Sequence, residues 1–371
     1  MSDYHAPSVA IDAAGAAAAA LFYSLGEMIS NATLTARFAG RTLGDATARA
    51  LPSVHAIHCL PTLLLVSVGV YAADGAAALA FITNQGADTV SIVTLADGQV
   101  SKTLAVAKDP VGVAIDERHR LAFITSTKSH QLSSIDIDSL TVINHVEAGS
   151  SPLGVTVDSR SGRVYVADGD DVKVRVFDAM TLAPRGEYHT GTTPSGVALT
   201  PDGGRLLIAN RDDNEVAVID TVDGVTEARI AVGTAPYGIT VSPNGHYAFV
   251  ANMQSDDVTV VDLQTLQPSS TLAVGDRPYA SVFDPLRQRL FVTNHSDGTV
   301  TVLDLIDQHE IARVPVGDYP AGIDMQVEAR KVYVVNSMTN DLTIINADTL
   351  AVEGSIKTGD GSRAFGRFIL Q

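Results

Sequence analysis

A repeat of 42 residues constrains the fold of this chain more than any other feature. In each unit, a large apolar residue and two smaller residues precede a polar one, and that polar residue recurs at a fixed step: Asn84, Ser126, Asp168, Asn210, Asn252, Asn294 and Asn336. A proline keeps the same step from Pro110 to Pro320, and a glycine keeps it from Gly149 to Gly359. An aspartate series runs from Asp136 to Asp304 and ends in Asn346. These independent series define seven units over residues 78–371 and leave residues 1–77 outside the repeat.

Each unit has the pattern of four short β-strands. In the fifth unit the runs are residues 237–242, 247–252, 258–262 and 271–274, which are rich in β-branched residues. Ser242-Pro-Asn-Gly245 is typical of a hairpin turn. No helical period follows residue 80, which excludes a helical solenoid. Four strands in a repeat of about 40–45 residues form a propeller blade. We therefore predict an all-β fold, a seven-bladed β-propeller.

The last residues of the chain are expected to close the ring. Residues 362–370 have the pattern of another inner strand but have no blade of their own. We predict that this run pairs into the first blade, whose own strands begin near Ala78. Such pairing would satisfy two strand edges that would otherwise stay exposed.

The repeat resembles that of the YVTN-repeat β-propellers, a family that includes YncE-like proteins. The matching motifs are Phe-Val-Thr-Asn294, the Val-x-Val-Leu-Asp304 run, Val-Gly317 and Pro-x-Gly322, and the similarity covers residues 78–371. The resemblance implies a secreted or surface location. Some members are reported to bind single-stranded DNA, others accompany quinoprotein or haem enzymes, and related seven-bladed folds are lactonases.

The N-terminal segment, residues 1–77, has a different composition from the repeats. Residues 50–73 contain no Asp, Glu, Lys or Arg, and the apolar run 60–70 leads into a small-residue cleavage pattern, Val70-x-Ala72. We predict a signal peptide at about residues 50–72, with the natural start near residues 49–54, and hence a periplasmic or extracellular protein. Cleavage would leave no stable membrane span. An uncleaved membrane anchor and a helix resting on the propeller are the alternatives.

Charge and motif content limit the possible functions. The net charge of −17 repels phosphate backbones, and the absence of Trp removes one kind of base-stacking platform, so we do not expect nucleic acid as a partner. The lone Cys59 excludes an intrachain disulfide and a zinc site built from cysteines. No Ser-His-Asp order, HExxH or Walker motif is present. No cofactor is evident, and a bound metal ion remains open.

Candidate ligand-binding residues lie in two sets of loops that share one face, here called the top face. These are the loops before each inner strand and between each second and third strand. Residues that vary at equivalent repeat positions are the better candidates, because the fold does not dictate them. They are Tyr237, Arg277, Tyr279, Tyr319, Arg363, Arg211 and His295. Tyrosine and arginine together suit a flat or anionic ligand. Alternatively, these side chains plug the central channel and bond to backbone.

The same loops offer two weaker metal candidates. Met253, His295 and Met338 follow equivalent strands of successive repeats and have the soft donors that copper(I) prefers. Asp168-Gly-Asp-Asp171 could hold calcium but lacks the spacing of an EF-hand loop, and a solvated acidic rim is the alternative.

The sequence thus favours a monomeric, secreted binding scaffold without catalytic activity, which engages a small ligand or a partner protein on its top face. One alternative is a lactonase-like hydrolase or an accessory protein of a quinoprotein or haem dehydrogenase. The other is single-stranded DNA binding, which the acidity disfavours.

Overall fold

The structure, a computed structural model, describes residues 78–371, so the predicted signal peptide lies outside the described residues. Seven sheets, antiparallel except for one short strand at the end of the chain, form the blades of a propeller, which confirms the predicted fold. Blade 1 combines β1–β3 with the end of the chain, and blades 2–7 contain β4–β7, β8–β11, β12–β15, β16–β19, β20–β23 and β24–β27. The inner strands are β4 (Pro110–Asp116), β8 (Pro152–Asp158), β12 (Pro194–Leu199), β16 (Pro236–Val241), β20 (Pro278–Asp284) and β24 (Pro320–Gln326).

The remaining strands occupy the second, third and outer positions. The second strands are β1 (Leu79–Asn84), β5 (Leu121–Ser126), β9 (Arg163–Asp168), β13 (Arg205–Asn210), β17 (Tyr247–Asn252), β21 (Arg289–Asn294) and β25 (Lys331–Asn336). The third strands are β2 (Thr89–Thr94), β6 (Gln131–Asp136), β10 (Lys173–Asp178), β14 (Glu215–Asp220), β18 (Asp257–Asp262), β22 (Thr299–Asp304) and β26 (Asp341–Asn346). The outer strands are β3 (Gln99–Ala105), β7 (Thr141–Glu147), β11 (Pro184–His189), β15 (Thr226–Ala231), β19 (Gln267–Ala273), β23 (His309–Pro315) and β27 (Val352–Lys357).

The hydrophobic core lies between neighbouring blades. Second strands such as β5 are buried along their whole length, whereas outer strands such as β3 are largely exposed. Phe81, Phe123 and Phe291 occupy the same repeat position and are fully buried. Strands covered on both faces carry continuous apolar runs, which explains why the sequence shows little polar alternation in these segments.

The repeat asparagine is a structural clip. Asn294 donates from Nδ2 to Thr299 Oγ1 and Thr301 Oγ1, both at 2.9 Å, and its Oδ1 accepts the Gly275 N–H at 3.1 Å. A Cβ added to Gly275 would lie 2.5 Å from Asn294 Nδ2, so only glycine fits there. The repeated residues therefore hold the turns together and leave the variable positions free for other tasks.

A second ring of glycines lets the inner strands approach one another around the central channel. A Cβ on Gly196 would lie 2.1 Å from the carbonyl oxygen of Tyr237 in the next blade. A Cβ would meet a backbone carbonyl oxygen of the neighbouring strand or closing segment in the same way at four further glycines: Gly112, Gly154, Gly238 and Gly322. The Pro-x-Gly motif thus sets the spacing between blades at the axis.

The end of the chain closes the ring, as predicted, but in three short pieces: β28 (Ser362–Arg363), β29 (Phe365–Gly366) and β30 (Ile369–Leu370). β28 and β30 pair antiparallel with β1 of blade 1. Between them, β29 pairs parallel with β4 of blade 2, with Phe365 opposite Gly112. Gly366 has a φ of +120°, and a Cβ there would lie 2.3 Å from the Val113 carbonyl oxygen. This close approach to blade 2 accounts for the break in the predicted continuous strand.

Candidate functional site

Two tyrosines from neighbouring inner strands meet at the channel mouth, the end of the central channel on the top face. Tyr237 and Tyr279 each follow a repeat proline, and the Tyr279 hydroxyl donates to the Tyr237 hydroxyl at 3.1 Å. Their ring centroids are 4.4 Å apart, and Phe365 of the closing segment contacts both rings at 5.0 and 5.5 Å. All three side chains are buried. We call these three side chains the aromatic plug.

His295 lies against this plug. Its ring stacks on Tyr279 with a centroid distance of 5.3 Å and meets Tyr319 edge-on at 4.8 Å. Burial, with the neighbouring positive charges of Arg363 and Arg277, lowers the pKa of His295 to about 4. The imidazole is therefore neutral at pH 7.

Arg363 brings a charge to the mouth without a counter-charge. Its Nη1 donates to the Tyr279 hydroxyl at 3.2 Å. Its Nε is buried and has no hydrogen-bond partner, and the same holds for His295 Nδ1. Within residues 78–371, neither Arg363 nor Arg277 takes part in an ion pair. A half-buried cation with an unused donor is unfavourable unless another group supplies an acceptor.

The other predicted residues lie at the rim of the mouth. Arg277 and Tyr319 are exposed, directly precede repeat prolines and have left-handed φ values of 54° and 55°. Arg211 begins a 3-10 turn (Arg211–Asp213) and pairs with Asp212 at 2.9 Å. Arg211 is also close enough to act on Tyr237. Burial raises the pKa of the Tyr237 hydroxyl well above 10, and the positive charges of Arg363 and Arg211 reduce this increase. The structure thus places all seven predicted residues in one region.

Sequence reasoning missed two features of the top face. Phe365 completes the plug because the closing segment bends towards blade 2, which no repeat position indicated. Asp109, at the repeat position of Arg277, accepts hydrogen bonds from Gln85 at 3.0 Å, Lys128 at 2.9 Å and Thr127. Burial alone would raise the Asp109 pKa, but these hydrogen bonds outweigh it and the pKa is lowered. Asp109 is among the residues that precede the repeat prolines, but the comparison of those positions favoured tyrosine and arginine and did not select it.

The residues of the two metal candidates have different surroundings. Met253 packs against the apolar residues around the plug, and Met338 is exposed. In the described part of the chain, no three His, Cys, Asp or Glu side chains are grouped to hold a metal. Asp168 is buried and accepts the N–H groups of Ser150 at 2.9 Å and Ser151 at 2.8 Å, so its carboxylate serves the turn. Copper at Met253, His295 and Met338 stays a prediction.

A cavity of about 790 Å³ occupies the channel on the other side of the plug. It is lined partly by the turns between inner and second strands, which lie on the face opposite the mouth. Phe365 lines this cavity and also contacts both plug tyrosines, so the plug separates the cavity from the mouth. Two arginines of the lining, Arg160 and Arg367, already pair with Asp158 and Glu117. A third arginine of the lining, Arg118, is exposed and takes part in no ion pair within residues 78–371, so the cavity wall also carries an unpaired positive charge.

Asp324 is the buried acid of the cavity wall. Burial raises the pKa of its carboxyl, yet its oxygens accept N–H groups from Met325, Phe368 and Ile369 at 2.8–2.9 Å. Two of these donors belong to the closing segment, so Asp324 fastens the end of the chain.

No helix within residues 78–371 is long and apolar enough to cross a membrane.

Comparisons with known proteins agree with this architecture. A family model described as "Lactonase, 7-bladed beta-propeller" matches residues 161–267. A comparison with curated proteins finds no match.

Many solved structures share the fold. Hydrazine synthase of Kuenenia stuttgartiensis is 20% identical with a TM-score of 0.67, over 72% of this chain and 92% of that one. A protein from Lactobacillus plantarum is 19% identical with a TM-score of 0.69, over 79% and 98%. The dihydro-heme d1 dehydrogenase NirN in complex with DHE is 16% identical with a TM-score of 0.61, over 76% and 64%. The chain is a seven-bladed β-propeller, and part of it is similar to lactonase propellers.

Proposed function

We propose that this protein is a secreted, non-enzymatic binding scaffold of the YVTN-repeat kind that holds a small ligand at its channel mouth. The observation that carries the proposal is the half-buried guanidinium of Arg363, whose Nε is buried without a partner beside the equally unpartnered His295 Nδ1. Buried polar atoms are nearly always satisfied, and two unpartnered nitrogens in one charged cluster support a ligand group at the mouth.

The chemistry of the mouth favours binding over catalysis. A general base must be positioned by a second group and have a pKa near the working pH. His295 has a pKa of about 4, and Nδ1 makes no hydrogen bond to a carboxylate that would orient the ring. Tyr237 holds its proton even more tightly than an ordinary tyrosine. The cluster therefore offers donors and aromatic surface but no base that works at neutral pH.

A thermal-shift screen of the full-length protein against small molecules and metal ions tests the proposal. We expect compounds that raise the melting temperature of the wild-type protein and lose this effect in Arg363→Gln. Arg120→Gln is the matched control, because Arg120 pairs with Asp138 on the surface, in a turn between strands. Stabilisation that Arg363→Gln leaves intact, or turnover of a compound by the purified protein, would overturn the proposal.

A lactonase-like hydrolase is the second candidate, because the lactonase family model matches residues 161–267. That segment includes Arg211 and Tyr237 but ends before His295 and Arg363. A hydrolase would acidify a weakly buffered solution of a lactone in proportion to enzyme concentration. Hydrolysis at the rate of the buffer alone would exclude each lactone tested.

A further inference from the structure

We infer that the ligand of the mouth is a small planar monoanion, an aromatic carboxylate, with its carboxylate on Arg363 and its ring against Tyr319 and His295. This inference rests on the proposed function and names the class of compound that the same site would take.

The balance of charge at the mouth selects an anion. Arg363 and Arg277 have no ion-pair partner in residues 78–371, whereas Arg211 is paired with Asp212. Both unpaired arginines act on the same imidazole, so their fields overlap at His295. Although the protein carries a net charge of −17, this spot is positive, and a cation or a metal ion would be repelled.

The free donors of Arg363 match a carboxylate. Nη1 is engaged with the Tyr279 hydroxyl and Nε is buried in this side-chain conformation, so Nη2 is the donor that a ligand reaches first. A rotation of the guanidinium that uncovers Nε would complete the pair of parallel N–H groups that binds a carboxylate through both oxygens. The neutral imidazole of His295 adds a further donor when its proton is on Nδ1. With Arg363 Nε and His295 Nδ1 uncovered by the ligand, the site would provide three donors for two carboxylate oxygens.

The surroundings limit the ligand to a small flat compound. The buried plug of Tyr237, Tyr279 and Phe365 blocks passage into the channel. Tyr319 is 47% exposed and its ring meets that of His295 at a steep angle, so part of the tyrosine ring is accessible to a ligand ring. We therefore expect a ligand with one ring and a short acidic group.

The exposed acids around the rim argue against a polymeric anion. Asp212, Asp276 and Asp318 are the sequence neighbours of Arg211, Arg277 and Tyr319, and all three are exposed. A nucleic acid or an acidic polypeptide would bring further negative charges onto these carboxylates. A monoanion meets only the two unpaired arginines between them.

The experiment is isothermal titration calorimetry and ligand-observed NMR on the full-length protein at pH 7 with three matched probes. Benzoate has both the charge and the ring, benzamide has the ring without the charge, and acetate has the charge without the ring. A panel of larger aromatic carboxylates, including 4-hydroxybenzoate and indole-3-acetate, covers ligand shape. We expect at least one aromatic carboxylate to bind with a Kd below ~1 mM and about tenfold or more tighter than its amide or acetate.

Four variants locate the binding. Arg363→Gln is expected to weaken the aromatic carboxylate about tenfold or more, and Arg363→Lys, which keeps the charge but loses the fork, severalfold. Tyr319→Gly should weaken the aromatic carboxylate but not acetate. Because Tyr319 has a left-handed φ, the change to glycine relieves backbone strain and leaves the fold intact. Gln288→Gly, at a φ of 52° on the opposite face, is the matched control and should change no affinity.

The outcomes separate the inference from the proposed function. Equal affinity for amides and acids, with both lost in Arg363→Gln, would overturn the anion and leave a ligand site at the mouth. If no member of the panel binds at millimolar concentration while the broad screen finds an Arg363-dependent neutral compound, the inference fails but the proposed function stands. If neither experiment finds an Arg363-dependent ligand, both fail, and Arg363 Nε and His295 Nδ1 serve only an ordered water.

Discussion

Arg363 Nη1 donates a hydrogen bond of 3.2 Å to the hydroxyl of Tyr279, which lies 84 positions earlier in the chain. Arg363 belongs to β28, which pairs with blade 1, whereas Tyr279 stands on the inner strand of blade 6. The contact therefore crosses the channel mouth and joins ring closure to the candidate site. Changes to the closing segment are expected to affect both.

Replacing Asp324 tests how the closing segment is held. In Asp324→Ala, the N–H groups of Met325, Phe368 and Ile369 lose their buried acceptor. Because buried unsatisfied donors are unfavourable, we expect the free energy of unfolding to fall by about 3 kcal/mol or more. Urea unfolding measures the change, with Asp138→Ala as the control at an exposed carboxylate. Equal stability of the two variants would show that Asp324 does not fasten the segment.

The glycine ring around the channel predicts a steric effect. In Gly196→Ala the new methyl group would lie 2.1 Å from the Tyr237 carbonyl oxygen, so blades 4 and 5 must separate. We expect a loss of about 1–3 kcal/mol in the free energy of unfolding. Gly354→Ala is the matched control, since its Cβ would meet nothing within 4 Å on the outer strand β27. The two variants should differ clearly in their urea midpoints, and similar midpoints would contradict the close packing of the inner strands.

His295 predicts a stability change on the acid side of neutrality. Its pKa in the folded protein is about 4, below the ordinary 6.5, so the unfolded chain takes up a proton first as the pH falls. Folding stability should therefore drop between about pH 6.5 and 4, and His295→Gln should lose this part of the dependence. NMR titration of the imidazole C–H signals, assigned with the same variant, measures the midpoint. A midpoint near 6.5 would mean that the ring is solvated and remote from Arg363 and Arg277.

Anion binding makes a further prediction for the same signal. A carboxylate next to His295 favours the protonated imidazole, so an aromatic carboxylate should raise the midpoint, whereas its amide should not. The shift is read at saturating ligand in the wild-type protein and should vanish in Arg363→Gln. An unchanged midpoint with bound carboxylate would place the charge away from the ring.

Asp178 predicts an effect at lower pH. The side chain of Arg185 and the N–H and hydroxyl of Thr181 donate to its carboxylate and lower the pKa to about 2. A lowered pKa contributes stability that is present above about pH 4 and is lost as the pH falls towards 2. Asp178→Asn should therefore unfold at a lower temperature than the wild-type protein at pH 6 but approach it near pH 2. Asp138→Asn, at an exposed carboxylate, is the control for the loss of a surface charge.

The sequence predicted the blades because their signals are local and repeated. The period fixes where each strand begins, and the apolar runs of strands such as β5 follow from burial on both faces. The break in the closing strand at Gly366 could not be predicted from the sequence, because it depends on the close approach of Gly366 to the Val113 carbonyl oxygen. A contact with another blade cannot be predicted from the residue pattern within one repeat.

The candidate site was predicted as a set of positions but not as an arrangement. Equivalent repeat positions bring Tyr237 and Tyr279 together, because the ring places successive inner strands side by side. The burial of the two tyrosines depends on where Phe365 and the closing segment pack. The same packing leaves Arg363 Nε buried without a hydrogen-bond partner. Ligand binding by these residues stays a prediction.

Ring closure through the last residues also sets an order of assembly. Ser362 bonds to Asn84, 278 positions away, and a ribosome makes Ser362 only after it has made the six further blades 2–7. Pairings of such separation form slowly, so the chain stays an open arc until its end arrives. That end carries Arg363, the residue that would recognise the ligand. A chain that lacks residues 362–371 would thus lack both the ring closure and Arg363, so only the completed chain would form the proposed ligand contact.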